Sequence, residues 1–133
     1  MLGPALLAAA LLCGCGGLRA ADLFVVTRTG PTPRERLTLL VNEEGGASCN
    51  GTRAPRLSDP LLVQARAIQE ESQALAERHL ALPARPGSVY SYSLRDEHGT
   101  MRFADNSTAQ PPVLRHLQLF VLQVAQDVCH LRQ

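Results

Sequence analysis

The feature that most constrains this chain lies near its C-terminus. Leu117, Phe120, Val121, Val124, Val128 and Leu131 recur at helical spacing and form one continuous apolar stripe. A helix with such a stripe is stable only when another layer covers it. Upstream segments offer that layer. Residues 22–29 are apolar and β-branched, and residues 36–42 alternate, with Leu37, Leu39 and Val41 on one face. Glu43-Glu44-Gly45-Gly46 turns the chain, and residues 47–50 can return as a short third strand before Gly51. Ser58-Asp59-Pro60 offers a side-chain cap and a proline for a helix that places Leu61, Ala65, Ile68, Ser72 and Leu75 on one side and ends near Arg78–His79. Residues 89–95 alternate, with Tyr90, Tyr92 and Leu94 on one face; Asp96-Glu97-His98-Gly99 makes a turn and residues 100–104 return. Strands this close in sequence pair antiparallel, because parallel pairing needs a longer crossover. The expectation is an α+β fold, an antiparallel sheet of four to five strands with two helices on one face (ββ(β)αββα).

The N-terminus carries a different signal. Residues 5–12 are an apolar run of Ala and Leu, too short to span a bilayer, followed by Cys13-Gly14-Cys15-Gly16-Gly17. Leu12-Cys13-Gly14-Cys15 resembles the lipobox of bacterial lipoproteins, with an aliphatic residue three places before the modified cysteine and glycine just before it. Residues 1–14 then read as a signal peptide, Cys15 as the lipidation site carrying palmitate-class acyl chains, 15–21 as a tether, and 22–133 as a single domain. The segment before Ala5 has no Lys or Arg, a departure from the usual leader. The alternative is a secreted protein, cut near Ala20–Ala21. Either route delivers the domain to an oxidising compartment. With Cys13 removed and Cys15 on lipid, Cys49 and Cys129 remain and are expected to pair; the alternative is two separate thiols.

Composition excludes several function classes. The 133 residues include 13 basic and 12 acidic, a formal net charge of +1, so no overall field recruits nucleic acid. Every basic residue is arginine, as a GC-rich genome favours. Trp is absent and aromatics are 4%, which argues against a base-stacking or sugar-stacking platform. No phosphate loop, Cys-x-x-Cys pair in the mature chain or His-Glu-x-x-His is present. His116 and His130 are too far apart on one helix to share a metal, and His130 beside Cys129 points about 100° away from it. His79 and His98 fall at a helix end and in a turn. Glu43-Glu44 and Glu70-Glu71 read as solvated pairs. No catalytic residue, cofactor or metal site is expected.

The polar segment 105–112, Asp105-Asn-Ser-Thr-Ala-Gln-Pro-Pro, is the one candidate for partner contact, through Asp105, Asn106, Ser107 and Gln110; the alternative is a loop that only delivers the last helix. Asn50-Gly-Thr52 and Asn106-Ser-Thr108 match the N-glycosylation pattern, here read as chance matches in turn-rich segments.

Val26-Thr-Arg-Thr-Gly30, the mid-chain helix, Tyr90-Ser-Tyr92 and the hairpin ending at Phe103-Ala-Asp105 resemble, in order and spacing over most of residues 23–124, the emfourin-type inhibitors of thermolysin-like metallopeptidases. The Streptomyces subtilisin-inhibitor-like family has a similar mixed layout, but with two disulfides where this chain can form one. The overall likeness is to small, uncharacterised lipoproteins of GC-rich Gram-positive bacteria. These resemblances imply a non-enzymatic envelope protein, anchored to the cell membrane by lipid and binding an envelope or secreted protein. A protease inhibitor or an assembly-accessory protein are the alternatives. No inhibitory residue is carried over.

Overall fold

A computed structural model of the chain describes residues 22–131; the leader, Cys13, the tether and Cys15 lie outside the described residues. The elements are β1 (Asp22–Thr29), β2 (Leu37–Asn42), β3 (Ala47–Cys49), β4 (Thr52–Ala54), α1 (Asp59–Glu77), β5 (Ser91–Arg95), β6 (Thr100–Ala104) and α2 (Pro112–Asp127). They form the α+β architecture expected, with one antiparallel sheet in the order β4-β3-β2-β1-β5-β6.

The sheet has six strands rather than four or five. The additional one is β4, and its cause is local. Asn50 and Gly51 both have positive φ (52° and 81°) and close a two-residue hairpin that pairs Cys49 with Thr52. The Asn50 side chain then binds β2, accepting from the Thr38 N–H at 2.8 Å and donating to the Arg36 carbonyl.

Alternation decides which face is covered. Phe24 and Val26 of β1, Leu37, Leu39 and Val41 of β2, Tyr92 and Leu94 of β5, and Met101 and Phe103 of β6 are all buried. They join Leu61, Ala65, Ile68 and Leu75 of α1 and Leu114, Leu117, Phe120, Val121 and Val124 of α2 in one core. Both helices therefore lie on one face. The alternate residues, Val25, Thr27, Thr38, Leu40, Ser93 and Arg102 among them, face away and are half-buried or exposed.

The α2 helix crosses the sheet. Its entry loop is held to β6 through Gln110, whose amide donates to the Ala104 carbonyl, and its far end is joined to β3 by the Cys49–Cys129 disulfide, with Cα atoms 5.9 Å apart. Sixteen helical residues span about 24 Å, enough to cross five strands spaced about 4.8 Å. The disulfide is the pairing expected from the sequence. Cys129, His130 and Leu131 lie just beyond the helix rather than in its last turns. The helix stops because His130 takes a left-handed backbone (φ 53°) and the Leu131 N–H returns to the Ala125 carbonyl. The end of α1 is built alike: His79 is left-handed (φ 54°) and the Leu80 N–H reaches the Leu75 carbonyl. At its start Ser58 occupies the cap position but makes no side-chain cap bond; its carbonyl accepts from the Leu62 N–H and Pro60 sets the first turn.

Two further devices close the fold. Residues 80–82 run beside the outer edge of β6, where Leu82 donates to the Arg102 carbonyl and Arg102 to the Leu80 carbonyl, so that edge is not left open. At Gly99 a Cβ would collide with the Ala76 carbonyl oxygen, so only glycine lets the β5–β6 turn approach the end of α1.

Candidate functional site

The strands place the loops at two ends of the sheet. At one end, where the chain enters at Asp22, lie the turns at 43–46 and 96–99. At the other, beyond Thr29, Ser91 and Ala104, lie the loops at 83–90 and 105–111. All four candidate partner residues sit at this second end, and the structure brings them together.

Each of the four side chains is engaged with backbone or with the neighbouring loop. The Asp105 carboxylate accepts from the Ser88 hydroxyl at 2.7 Å and from the N–H groups of Val89 and Tyr90. Asn106 accepts from the Arg85 N–H and donates to the Arg85 and Pro86 carbonyls. Ser107, nearly buried, accepts from the Ala104 N–H and donates to the Pro83 carbonyl. The Gln110 amide donates to the carbonyls of Ala104, Asp105 and Ser107, while its oxygen accepts from Gln118 on α2. The side chains of one loop supply hydrogen-bond partners to the backbone of the other, at Arg85, Pro86 and Val89 on the surface and at Pro83 and Tyr90 in part-buried positions.

The two loops thus form one rigid unit. What it presents outward is Thr108 and Ala109, both exposed, with Ala109 held at φ 56°. A left-handed alanine stores roughly 1–2 kcal/mol that the surrounding bonds must sustain. Beside this tip, a shallow depression of about 600 Å³ runs along the start of α2, lined by Asn106, Ala109, Gln110, Arg115, Gln118 and Leu119. Leu119 is 65% exposed, an apolar side chain at the margin of a polar, fixed loop.

Beneath the loops the core becomes polar and aromatic. Arg28 points inward from β1, is 2% exposed, donates to the Glu35 carbonyl and lies 4.9 Å from the Tyr90 ring centre. Tyr92 stacks on Phe103, with ring centres 5.1 Å apart. Burial pushes the Tyr92 phenol up to about 12 despite the nearby Arg28 charge, so this floor stays uncharged at its hydroxyl. An arginine at an inward strand position, after Phe24 and Val26, was the sequence signal for this layer.

Burial works against the Asp105 charge, but the Ser88 hydroxyl and the N–H groups of Val89, Tyr90 and Asn106 outweigh it and hold the carboxyl below its ordinary value of 3.8. A carboxyl depressed in the folded state contributes stability that is full above the unfolded value and is lost as pH falls through the folded one. Denaturant titrations at about pH 6 and about pH 3 should show a larger acid loss for the native chain than for Asp105→Asn. Equal losses would mean the carboxylate does not brace the loops.

Among the described residues no group of three His, Cys, Asp or Glu side chains could hold a metal. His98, among the described residues, pairs with Glu97 at 3.4 Å and shares a depression with Asp22 and Glu43, and the exposed His116 lies 4.0 Å from Glu71. Glu43, Glu44, Glu70 and Glu71 are exposed. No helix among the described residues is long and apolar enough to cross a membrane. Comparison of the chain with protein-family models, with curated proteins and with solved structures gave no match. The functional reading therefore rests on this chain's own residues.

Proposed function

We propose that the protein is a non-catalytic, protein-binding module of the bacterial envelope, held at the outer surface of the cell membrane by lipid on Cys15. The observation that carries the binding role is the braced double loop. A surface already fixed in one conformation loses little entropy on binding, which is what a recognition element needs, whereas a purely structural role has no use for a strained, exposed tip. The anchoring reading is supported by Leu12-Cys-Gly-Cys15 and by polarity of the fold. Because β1 enters the sheet at Asp22 and runs toward the loops, an N-terminal anchor leaves the loops at the far end, about 23 Å away along an eight-residue strand.

A fixed loop also suits a peptidase inhibitor, the role that the emfourin resemblance implies. Mass spectrometry of the N-terminal peptide is expected to find acylated Cys15; a free terminus at Ala21 would make the protein secreted instead. For the binding role, the full chain and Thr108→Arg are compared in capture from envelope and culture proteins. A partner should be retained by the native chain and by Val63→Arg, on the exposed side of α1, and lost with Thr108→Arg. Retention by all three removes the loop from the interface. Inhibition of a thermolysin-like peptidase that disappears in Thr108→Arg would single out the inhibitor role.

A further inference from the structure

The face of the sheet opposite the helices carries a charge pattern that the chain's near-neutral total conceals. Following the cross-strand pairs, one row runs Arg53, Ser48, Leu40, Val25, Arg95 and Thr100 across all six strands. A second runs Thr38, Thr27, Ser93 and Arg102, and a third begins at Thr29 and Ser91. None of these rows contains a carboxylate or an aromatic ring. The acids lie elsewhere: Asp59, Glu70, Glu71 and Glu77 are on α1 and Asp127 on α2, all exposed on the helix side. At the margin stand Glu44, beside Arg53 and Arg56, and Asp22, paired with Asn42 at the start of β1.

The donors on this face are uncommitted. Among the described residues, Arg53, Arg95 and Arg102 make no ion pair, and the hydroxyls of Thr27, Thr29, Thr38, Ser91 and Ser93 bond no other side chain or backbone group. Two shallow depressions lie along the face. One, of about 550 Å³, includes Leu40, Ser48, Arg53 and Arg56; the other, of about 280 Å³, includes Thr27, Thr29, Ser91, Ser93 and Arg102, walled by Leu82.

We propose that this face binds a linear polyol-phosphate polymer lying across the strands. Guanidinium groups and hydroxyls are the donors that phosphate oxygens and polyol hydroxyls take up. The row from Arg53 to Arg95 crosses four strand spacings, about 19 Å, so an extended chain meets positive charge at both ends, with Ser48, Leu40 and Val25 between them and the hydroxyls of Thr38, Thr27 and Ser93 in the adjacent row. The missing aromatics distinguish it from a single-stranded nucleic-acid site, where bases stack. The proposal concerns a different surface from the loops and does not depend on them.

The test titrates poly(glycerol phosphate) into the full chain at several salt concentrations, with polyglutamate and an oligothymidylate of equal charge as comparisons. Binding should weaken with salt, since counterions are released with each phosphate neutralised. Arg95→Gln with Arg102→Gln should reduce affinity roughly tenfold and lower the salt slope by about 1.4, at about 0.7 per phosphate contact for a flexible strand. Arg78→Gln, at the end of α1, should change neither, and all variants should melt as the native chain does. Unchanged binding in the double variant, or an equal loss with Arg78→Gln, overturns the site. Tighter binding of polyglutamate or oligothymidylate than of poly(glycerol phosphate) overturns the choice of ligand.

Discussion

Breaking the Cys49–Cys129 bond should cost the domain about 4–5 kcal/mol, the chain-entropy value for a closed loop of 80 residues. Against a stability of roughly 5–15 kcal/mol this is a large fraction, and at about 4–8 °C per kcal/mol the melting temperature should fall by roughly 15–40 °C. The bond acts at one place in particular. It holds the end of α2 against β3, a strand of only three residues at the narrow side of the sheet. Without it, the last turn of α2 and the β3–β4 hairpin lose their covalent link, while Gln110 still holds the helix start to β6. Thermal melts of the native chain and of Cys49→Ala/Cys129→Ala, each with and without reductant, measure this. A double variant that melts within a few degrees of the native chain, or free reaction of both cysteines with a thiol reagent before reduction, would show that the fold does not need the bond.

Val124→Asp should abolish folding outright. Val124 is fully buried on the stripe of α2, and an unpaired carboxylate there costs several kcal/mol on top of the lost packing. Leu117→Ala, equally buried, should cost about 2–5 kcal/mol and leave a weakened but folded protein. Circular dichroism with denaturant titration separates the two outcomes. A folded Val124→Asp with native melting would place the stripe at the surface and remove the two-layer packing.

The stripe on α2 was the most legible part of the sequence because burial on one face imposes a period that no short motif can imitate. Leu37, Leu39 and Val41, and Tyr92 and Leu94, were legible for the same reason in strands. The Cys49–Cys129 pair followed from counting the thiols expected to remain if the chain is exported. Harder features depended on a single residue's backbone. The β3–β4 hairpin turns on Asn50-Gly51, a strong hairpin signal that coincides with a glycosylation pattern and is flanked by strands too short to alternate visibly. The helix ends turn on His79 and His130, where glycine or asparagine is the usual sign. The loop 105–112 was recognisable as polar and stiff. That Asp105, Asn106, Ser107 and Gln110 face inward, leaving Thr108 and Ala109 outside, depends on the distant loop 83–90, which no local pattern connects to it. The arginine face is the clearest case of information held only in the pairing: Arg53, Arg95 and Arg102 are scattered among acids along the chain and meet only when β4, β5 and β6 join one sheet.

The position of β1 has a consequence for how the chain reaches this state. It is the first of the described strands in the chain, yet it lies inside the sheet, with β2 on one side and β5, more than sixty residues later, on the other. Half of its ladder must wait until all of α1 has been delivered. The layer that shields the apolar face of β1 and β2 is completed by α2, and its last staple by Cys129, almost at the end of the chain. A polypeptide threaded through a pore from its N-terminus would therefore emerge with Phe24, Val26, Leu37 and Leu39 uncovered for most of its passage. Distant pairing of this kind slows folding and leaves sticky intermediates exposed, so the interval before α2 docks is when this protein is most in need of a holding partner.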